Sequence, residues 1–255
     1  ADPEHRPAVA RGEEKPLAGP SVLADHVHAD DGLGGVSQLL TPDGERAYPD
    51  PEDRLSPTPA VDLILDIIER HPDEITLVAV GPLTNVARAI IKNPFRMRKL
   101  KEIVIMGGAF RVYGNVSTVA EFNIYADPHA AQVVCDSGIP TLFVPLDVTM
   151  QAVLTAPEID HYAAQGNSTA AFVKDCTDHY VAFHQQRKDL DGCFIHDALA
   201  VAAVYRPDLF TMADARINVE TAGDLTFGMT VADLRPAFMP GEGSNGRVCT
   251  DVDAD

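Results

Sequence analysis

Residues Ile75 to Gly108 read ITLVAVGPLTNVARAIIKNPFRMRKLKEIVIMGG, and the order of elements in this stretch decides the fold class. Ile75 to Val80 and Glu102 to Met106 are short apolar runs of the kind that form buried strands, and Thr84 to Ile91 has apolar residues at helical spacing. Strands that are apolar on both faces and alternate with helices are typical of a parallel sheet covered by helices. The stretch therefore predicts an α/β fold.

The alternation continues on both sides of this stretch. Asp127 and Pro128 indicate a helix start, with Asp as the N-cap and Pro at the first helical position. Alternating residues on either side of Gly223-Asp224 predict a small β-hairpin. We therefore predict an open, mostly parallel sheet with helices on both faces and a hairpin near the C-terminus. The other predicted elements are helices over Val61–Glu69, Asp127–Ser137 (ended by Gly138) and His196–Tyr205, a helix opened by a capping box at Thr155–Glu158, and a strand over Thr141–Leu146.

Composition limits the class of protein. The 255 residues suffice for one large domain with a substantial core. The formal net charge of -18 repels phosphate backbones, so we expect no nucleic-acid partner. No apolar run reaches the roughly 18 residues that span a membrane and no signal segment opens the chain, so we expect a cytoplasmic protein without membrane contacts. Four widely spaced cysteines predict free thiols rather than a zinc site or a disulfide framework.

Ligands of open parallel sheets bind at the carboxyl ends of the strands, so the loops after Val80, Met106 and Leu146 are the candidate site. The loop after Val80 reads GPLTN and has two interpretations. It could bind a ligand, or it could be a tight turn in which Thr84 or Asn85 caps the following helix. Taken alone, the turn is the better explanation.

The loop after Met106 contains more polar groups than a turn requires. Asn115, Glu121 and Asn123 present amide and carboxylate groups within nine residues, and such groups suit the hydroxyls of a ribose, which both donate and accept. The alternative is a surface loop with helix caps, which explains Asp127 better than it explains Glu121 and Asn123.

Two further stretches have alternative interpretations. His196 and Asp197 open a helix, where Asp is by default an N-cap, but the His could protonate a departing base while the Asp binds a cation. The stretch His26 to Gly35 (HVHADDGLGG) could bind a metal, although its spacing matches no standard cage. The sequence has no G-x-G-x-x-G dinucleotide fingerprint between its first strand and helix, no Walker loop and no G-x-S-x-G elbow, which argues against those enzyme classes.

Taken in order, these blocks resemble the inosine-uridine nucleoside hydrolase family, from about Pro16 to the last residue. The matching blocks are His26–Gly35 (HVHADDGLGG), Thr76–Ala87 (TLVAVGPLTNVA), Glu102–Ala109 (EIVIMGGA), Gly114–Ala131 (GNVSTVAEFNIYADPHAA), Leu146–Ala152 (LDVTMQA), His196–Ala200 (HDALA) and Gly228–Asp233 (GMTVAD). The resemblance implies an enzyme that cleaves the N-glycosidic bond of a ribonucleoside through an oxocarbenium-like transition state. It also implies a homo-oligomer, a dimer or tetramer.

The resemblance further implies a calcium ion that holds the ribose hydroxyls and the attacking water. By position, Asp197 would be a metal ligand through its side chain and Val80 through its backbone carbonyl. The ribose would be gripped by Asn115, Glu121 and Asn123, with the Met106 loop beneath it.

The resemblance also assigns residues to the base. His196 would assist the departing base, and His28, on a mobile loop, would close over it. Tyr180 and His184 fall where the family places base-contacting aromatic groups, and His184 replaces a Tyr often found there.

The chain departs from the family pattern at its beginning. Family members open with a strand and a D-x-D-P-G-x-D-D stretch that supplies most metal ligands, and nothing here matches it; residues 1 to 20 align with the connection that follows. We therefore expect one partial nucleoside hydrolase domain over residues 1–255, which also lacks a short C-terminal helix and has little activity by itself. The favoured interpretation is a hydrolase whose sequence is incomplete here. The alternatives are a degenerate non-catalytic protein that binds a ribosyl ligand, and another ribosyl-processing activity.

Overall fold

The computed structural model describes residues 7–23, 25–48, 54–188, 190–235 and 243–254. Contacts within the chain group it into two compact units. The first comprises Ala1–Val9, Val22–Ser56 and Val153–Phe194, and the second comprises Ala10–Ser21, Pro57–Ala152 and Ile195–Asp255. Each unit is described by itself.

The helices and strands have the following bounds. The strands are β1 (Val9–Ala10), β2 (Leu55–Ser56), β3 (Thr76–Ala79), β4 (Glu102–Met106), β5 (Thr141–Val144), β6 (Val153–Thr155), β7 (Gly192–Phe194), β8 (Phe210–Ala215), β9 (Ile217–Val219), β10 (Thr230–Ala232) and β11 (Gly246–Val252). The helices are α1 (Asp25–His28), α2 (Ala60–Arg70), α3 (Thr84–Lys92), α4 (Pro94–Met97), α5 (Phe122–Ala126), α6 (Pro128–Cys135), α7 (Leu146–Thr149), α8 (Ala156–Ala163), α9 (Ser168–Lys188) and α10 (His196–Tyr205). Short 3-10 helices occur at Val36–Gln38 and Pro207–Leu209.

The second unit is built on a five-stranded sheet in the order β3-β4-β5-β11-β8. Adjacent strands from β3 to β11 are parallel, and β8 pairs with β11 in the antiparallel direction. The mostly parallel sheet predicted from the sequence is therefore confirmed. The predicted hairpin is also confirmed, because β9 and β10 pair in the antiparallel direction with Val219 opposite Thr230. Gly223-Asp224 lies in the loop between β9 and β10, and this loop is longer than a two-residue turn.

Side chains of the sheet alternate between two apolar cores. Ile103 and Ile105 of β4 belong to the core that contains residues of α2, α3 and α6, whereas Val104 and Met106 belong to the core that contains residues of α7 and α10. All four are at most 3% exposed. Helices thus cover both faces of the sheet, as the continuous apolar runs predict.

Some predicted boundaries were wrong for reasons that the structure shows. The strand predicted to reach Leu146 ends at Val144, because Pro145 has no N–H for the ladder and becomes the N-cap of α7. The helix predicted to reach Ser137 ends at Cys135, and Gly138 follows with a φ of 72°.

The proposed capping of α3 by Thr84 or Asn85 was also wrong. Its N-cap is Leu83, which makes no side-chain cap. Instead, the Thr84 hydroxyl donates to the Asp127 carboxylate, and the Asn85 side-chain oxygen accepts from the N–H of Glu13.

The first unit contains helices α1, α8 and α9 and the antiparallel pair β6-β7. The predicted capping box of α8 is confirmed, because Thr155 accepts from the Glu158 N–H and the Glu158 carboxylate accepts from the Thr155 N–H. Within the described residues, no helix combines the length and the apolar character needed to cross a membrane.

Candidate functional site

Glu121 lies at the centre of the polar cluster in the second unit. It is 2% exposed and is the N-cap of α5. Its Oε1 accepts from the N–H of Asn123 at 2.9 Å, and its Oε2 accepts from the N–H groups of Gly108 and Ile124, each at 3.1 Å. Gly108 has a φ of 90°, a left-handed conformation that favours glycine. These contacts fasten the loop after β4 to the start of α5.

Asn123 joins the carboxyl ends of two adjacent strands. Its side-chain amide donates to the carbonyl oxygen of Met106 at 3.1 Å and lies 3.5 Å from the carbonyl oxygen of Val80. Met106 ends β4, and Val80 follows β3 directly. The structure therefore brings together Val80, Met106, Glu121 and Asn123 at the edge of the sheet where the sequence predicted a site.

Asn115 has a more local environment. It is exposed, and its side-chain oxygen accepts from the N–H of Phe122 at 2.8 Å. The side chain that was predicted to grip the ribose thus also holds the start of α5 to the loop, a contact that the sequence did not indicate.

His196 and Asp197 begin α10, which packs against β3 and β4. The Nδ1 atom of His196 lies 2.7 Å from the hydroxyl oxygen of Thr149, which is fully buried at the end of α7. The N-cap of α10 is Ile195 and makes no side-chain cap, so the default interpretation of Asp197 as a cap was wrong. Thr149 belongs to the LDVTMQA block, but no pattern in that block distinguishes it from its neighbours.

Two carboxyl groups of this cluster have raised pKa values. Burial raises the pKa of Glu121 to about 7, against the lowering effect of its three backbone hydrogen bonds, and the charge of Asp197 raises it further. Asp197 is accessible to solvent but closely surrounded by protein, and this desolvation raises its pKa to about 6. Neither carboxylate has a basic partner in the described part of the chain that offsets these shifts. Such an environment favours a bound cation.

The chemistry of these donors suits calcium only in part. Calcium takes six to eight oxygen ligands, and the Asp197 carboxylate and Val80 carbonyl are oxygen donors of the right kind. Among the described residues, however, no group of three or more His, Cys, Asp or Glu side chains is placed to hold a metal ion. Asp197 and Val80 can therefore supply only a fraction of a calcium coordination shell.

The residues predicted to contact the base lie in the first unit. The rings of His28 and Tyr180 are 5.4 Å apart, and those of Tyr180 and His184 meet edge to face at 4.3 Å. His184 is only 3% exposed, and its Nδ1 lies 3.0 Å from the carbonyl oxygen of Tyr180. The three predicted residues thus form one continuous aromatic group, in which His184 is the buried member.

The segment that follows His28 is held in shape by Asp31. The Asp31 carboxylate accepts from the N–H groups of Leu33, Gly35 and Ser37, and these bonds hold the pKa of Asp31 well below its usual range. A Cβ on Gly34 would lie 2.5 Å from the carbonyl oxygen of Cys176, so this segment requires glycine at its closest approach to α9.

The raised pKa of Glu121 predicts that stability falls as pH rises. Unfolding returns the group from a pKa of about 7 to its ordinary value of 4.5, so between these values the folded chain binds more protons than the unfolded chain. The stabilisation is complete below pH 4.5 and is lost as pH rises through 7. We expect the free energy of unfolding to decrease by about 3 kcal/mol across this range, with Asp197 contributing in the same direction.

Urea unfolding at pH 5 and pH 7.5, in the presence of a chelator, measures this decrease. The lower limit of pH 5 avoids the range in which carboxyl groups of lowered pKa, such as Asp31, take up protons. Glu121→Gln is the control, because it removes the titrating group and should reduce the pH dependence. An equal decrease in wild type and variant would contradict the assignment to Glu121.

Comparisons with known proteins identify the family of the chain. The chain matches the family described as inosine-uridine preferring nucleoside hydrolase over residues 3–255. The pyrimidine-specific ribonucleoside hydrolase RihA of Citrobacter koseri is 38% identical over 246 residues, which cover 96% of this chain and 75% of that protein.

Solved structures show the same fold. A purine-preferring ribonucleoside hydrolase from Gardnerella vaginalis superposes with a TM-score of 0.84 at 30% identity, covering 96% of this chain and 75% of that one. The plant nucleoside hydrolase PpNRh1 superposes with a TM-score of 0.83 at 30% identity, covering 96% of this chain and 76% of that chain. The chain therefore belongs to the inosine-uridine preferring nucleoside hydrolase family and is an enzyme that hydrolyses ribonucleosides.

Proposed function

We propose that the polar cluster at the carboxyl ends of β3 and β4 is the ribose site of this hydrolase. The observation that carries the proposal is that the Asn123 side chain contacts the carbonyl oxygens of both Met106 and Val80. The Glu121 carboxylate supports this arrangement, because it fastens the loop after β4 to the start of α5. Cleavage of the N-glycosidic bond develops positive charge on the ribosyl ring. Carboxylates held without basic partners stabilise such charge.

Individual residues contribute in different ways. Glu121 and Asn123 would orient the ribose and Asn115 would add a contact from the exposed part of the loop. His196 would donate a hydrogen bond to the departing base, which lowers the cost of separating the base from the sugar. By the family resemblance, His28, Tyr180 and His184 would contact the base.

Calcium is the cation that this site would take, with Asp197 and the Val80 carbonyl among its ligands. When bound, it would hold the ribose hydroxyls and polarise the attacking water. The remaining ligands must come from outside the described cluster, because Asp197 and Val80 supply only two donors. We further propose a cytoplasmic homo-oligomer without nucleic-acid or membrane partners, on the basis of the net charge and the family.

The test is ribose release from uridine and inosine by the protein purified from its natural source. We expect release in calcium, loss of release in chelator, and calcium affinity weakened by roughly tenfold or more in Asp197→Asn, since a coordinating carboxylate is removed. Asp224→Asn is the matched control, because Asp224 is an exposed acid in the β9-β10 loop.

Binding of a ribosyl ligand without chemistry is the alternative that the sequence alone left open. The presence of Glu121, Asn123, His196 and Asp197 together favours the hydrolase, because a protein that only binds has no chemical need of all four. Binding of a nucleoside without ribose release by the natural protein would establish the alternative.

A further inference from the structure

Thr149 is a buried residue that contacts the histidine of the proposed site. It ends α7, is fully buried and lies with its hydroxyl oxygen 2.7 Å from Nδ1 of His196. Both residues belong to the second unit. A distance of 2.7 Å is a strong hydrogen bond, but two arrangements satisfy it: the hydroxyl can donate to Nδ1, or a proton on Nδ1 can be donated to the hydroxyl.

The burial of Thr149 decides between these arrangements. A buried hydroxyl must donate its hydrogen to a partner, because water cannot reach it. Among the described residues, the Thr149 hydroxyl makes no hydrogen bond other than the one to His196. Thr177 shows the usual alternative in a helix, since its hydroxyl donates to the carbonyl oxygen of Val173 four residues earlier. The hydroxyl of Thr149 therefore donates to Nδ1, which must then be unprotonated.

We propose that Thr149 is a positioning residue that fixes the tautomer of His196. With Nδ1 accepting from Thr149, the neutral ring has its hydrogen on Nε2 and presents Nε2–H to the departing base. The inference rests on the proposed function, since it assigns the form in which His196 assists the base.

The reaction balances without a charged histidine. As the bond between C1′ and the base nitrogen breaks, its electron pair moves to the base, and the Nε2–H hydrogen bond stabilises the developing negative charge. The attacking water supplies the hydroxyl that joins C1′ and, in net terms, the proton that ends on the base. His196 acts as a hydrogen-bond donor and returns unchanged.

The first test compares Thr149→Val with Thr149→Ser in the natural protein. Valine keeps the shape of threonine but has no hydroxyl, whereas serine retains the hydroxyl. With uridine as substrate, we expect Thr149→Val to lower kcat by about 10-fold to 100-fold, the range found for residues that orient metal-bound histidines. KM should change by less than about threefold. Serine should restore kcat to within about threefold of wild type.

An activated substrate separates this role from damage to the fold. In 4-nitrophenyl riboside the leaving group departs without help from a histidine, but the ribose site is used in the same way. The Thr149→Val variant should therefore hydrolyse 4-nitrophenyl riboside with a kcat within about threefold of that of wild type. An equal loss of kcat on uridine and on the aryl riboside would overturn the proposal, and so would an unchanged kcat on uridine.

A nitrogen NMR measurement tests the tautomer independently of activity. In protein labelled with ¹⁵N-histidine, the His196 signals, identified by their loss in His196→Gln, should show the hydrogen on Nε2 in wild type and Thr149→Ser. They should show a mixture of tautomers in Thr149→Val. A hydrogen on Nδ1 in wild type would overturn the proposal. If wild type released no ribose from any nucleoside, the proposed function would fail, whereas the NMR result would still decide the role of Thr149.

Discussion

Replacing His196 with alanine is expected to lower kcat for uridine hydrolysis by about 10²-fold to 10⁴-fold, the usual contribution of a group that assists proton transfer to a leaving group. KM should change much less, because the ribose contacts proposed for Glu121 and Asn123 lie on α5 and its N-cap and are unaffected. Steady-state kinetics with uridine and with 4-nitrophenyl riboside measure both values. The aryl riboside should be nearly insensitive to the substitution.

The matched control for this substitution is His161→Ala. His161 is an exposed histidine on α8, where its ring nitrogen contacts Gln165. The control should leave kcat unchanged for both substrates. A His196→Ala variant that lost both activities equally would contradict a role at the base and would point to a role in the ribose site.

Replacing Asp127 with alanine is expected to lower the free energy of unfolding by about 3–5 kcal/mol. The Asp127 carboxylate is completely buried and accepts three hydrogen bonds. One is from the N–H of Ala130, which it caps at the start of α6, one is from the N–H of Leu17 at 2.7 Å, and one is from the hydroxyl of Thr84 at 2.6 Å. Alanine would leave all three donors without a partner, and an unsatisfied buried donor typically costs about 1–3 kcal/mol.

Urea unfolding of this variant should be compared with that of Asn93→Ala. Asn93 is also an N-cap in the second unit, where its side chain accepts from the N–H of Arg96, but it makes no comparable set of buried contacts. We expect Asn93→Ala to lower the free energy of unfolding by about 1 kcal/mol, the usual loss when an N-cap side chain is removed. If the free energy of unfolding fell by the same amount in both variants, the hydrogen bonds of Asp127 with Leu17 and Thr84 would contribute nothing to stability, and the prediction would be wrong.

The parts of the fold that the sequence predicts are those with a strong local pattern. A few consecutive residues are enough to recognise the apolar runs of β3 and β4 and the Asp-Pro start of α6. Strands β8 and β11 were not predicted. In β11 the central pair Val248 and Cys249 is preceded by Arg247 and followed by Thr250 and Asp251, and such polar neighbours weaken the apolar signal even though the strand lies inside the sheet.

The candidate site was predictable as a set of residue types but not as a set of contacts. The polar loops after β3 and β4 indicated the right edge of the sheet, and the structure places Val80, Met106, Glu121 and Asn123 there. The contact between Thr149 and His196 joins positions 47 residues apart on different helices. No local pattern encodes such a pairing, since it depends on how α7 and α10 pack over the same face of the sheet.

The position of β11 in the sheet has a consequence for how the chain acquires its structure during synthesis. Val248 pairs with Phe143 on one side and with Ala213 on the other, so in the described sheet β11 joins β5 to β8, and this strand is translated about 100 residues after β5. Until that strand leaves the ribosome, β5 presents an unpaired edge of apolar residues, which invites association with other chains. The sheet closes through a long-range contact, and we therefore expect its folding to be slow.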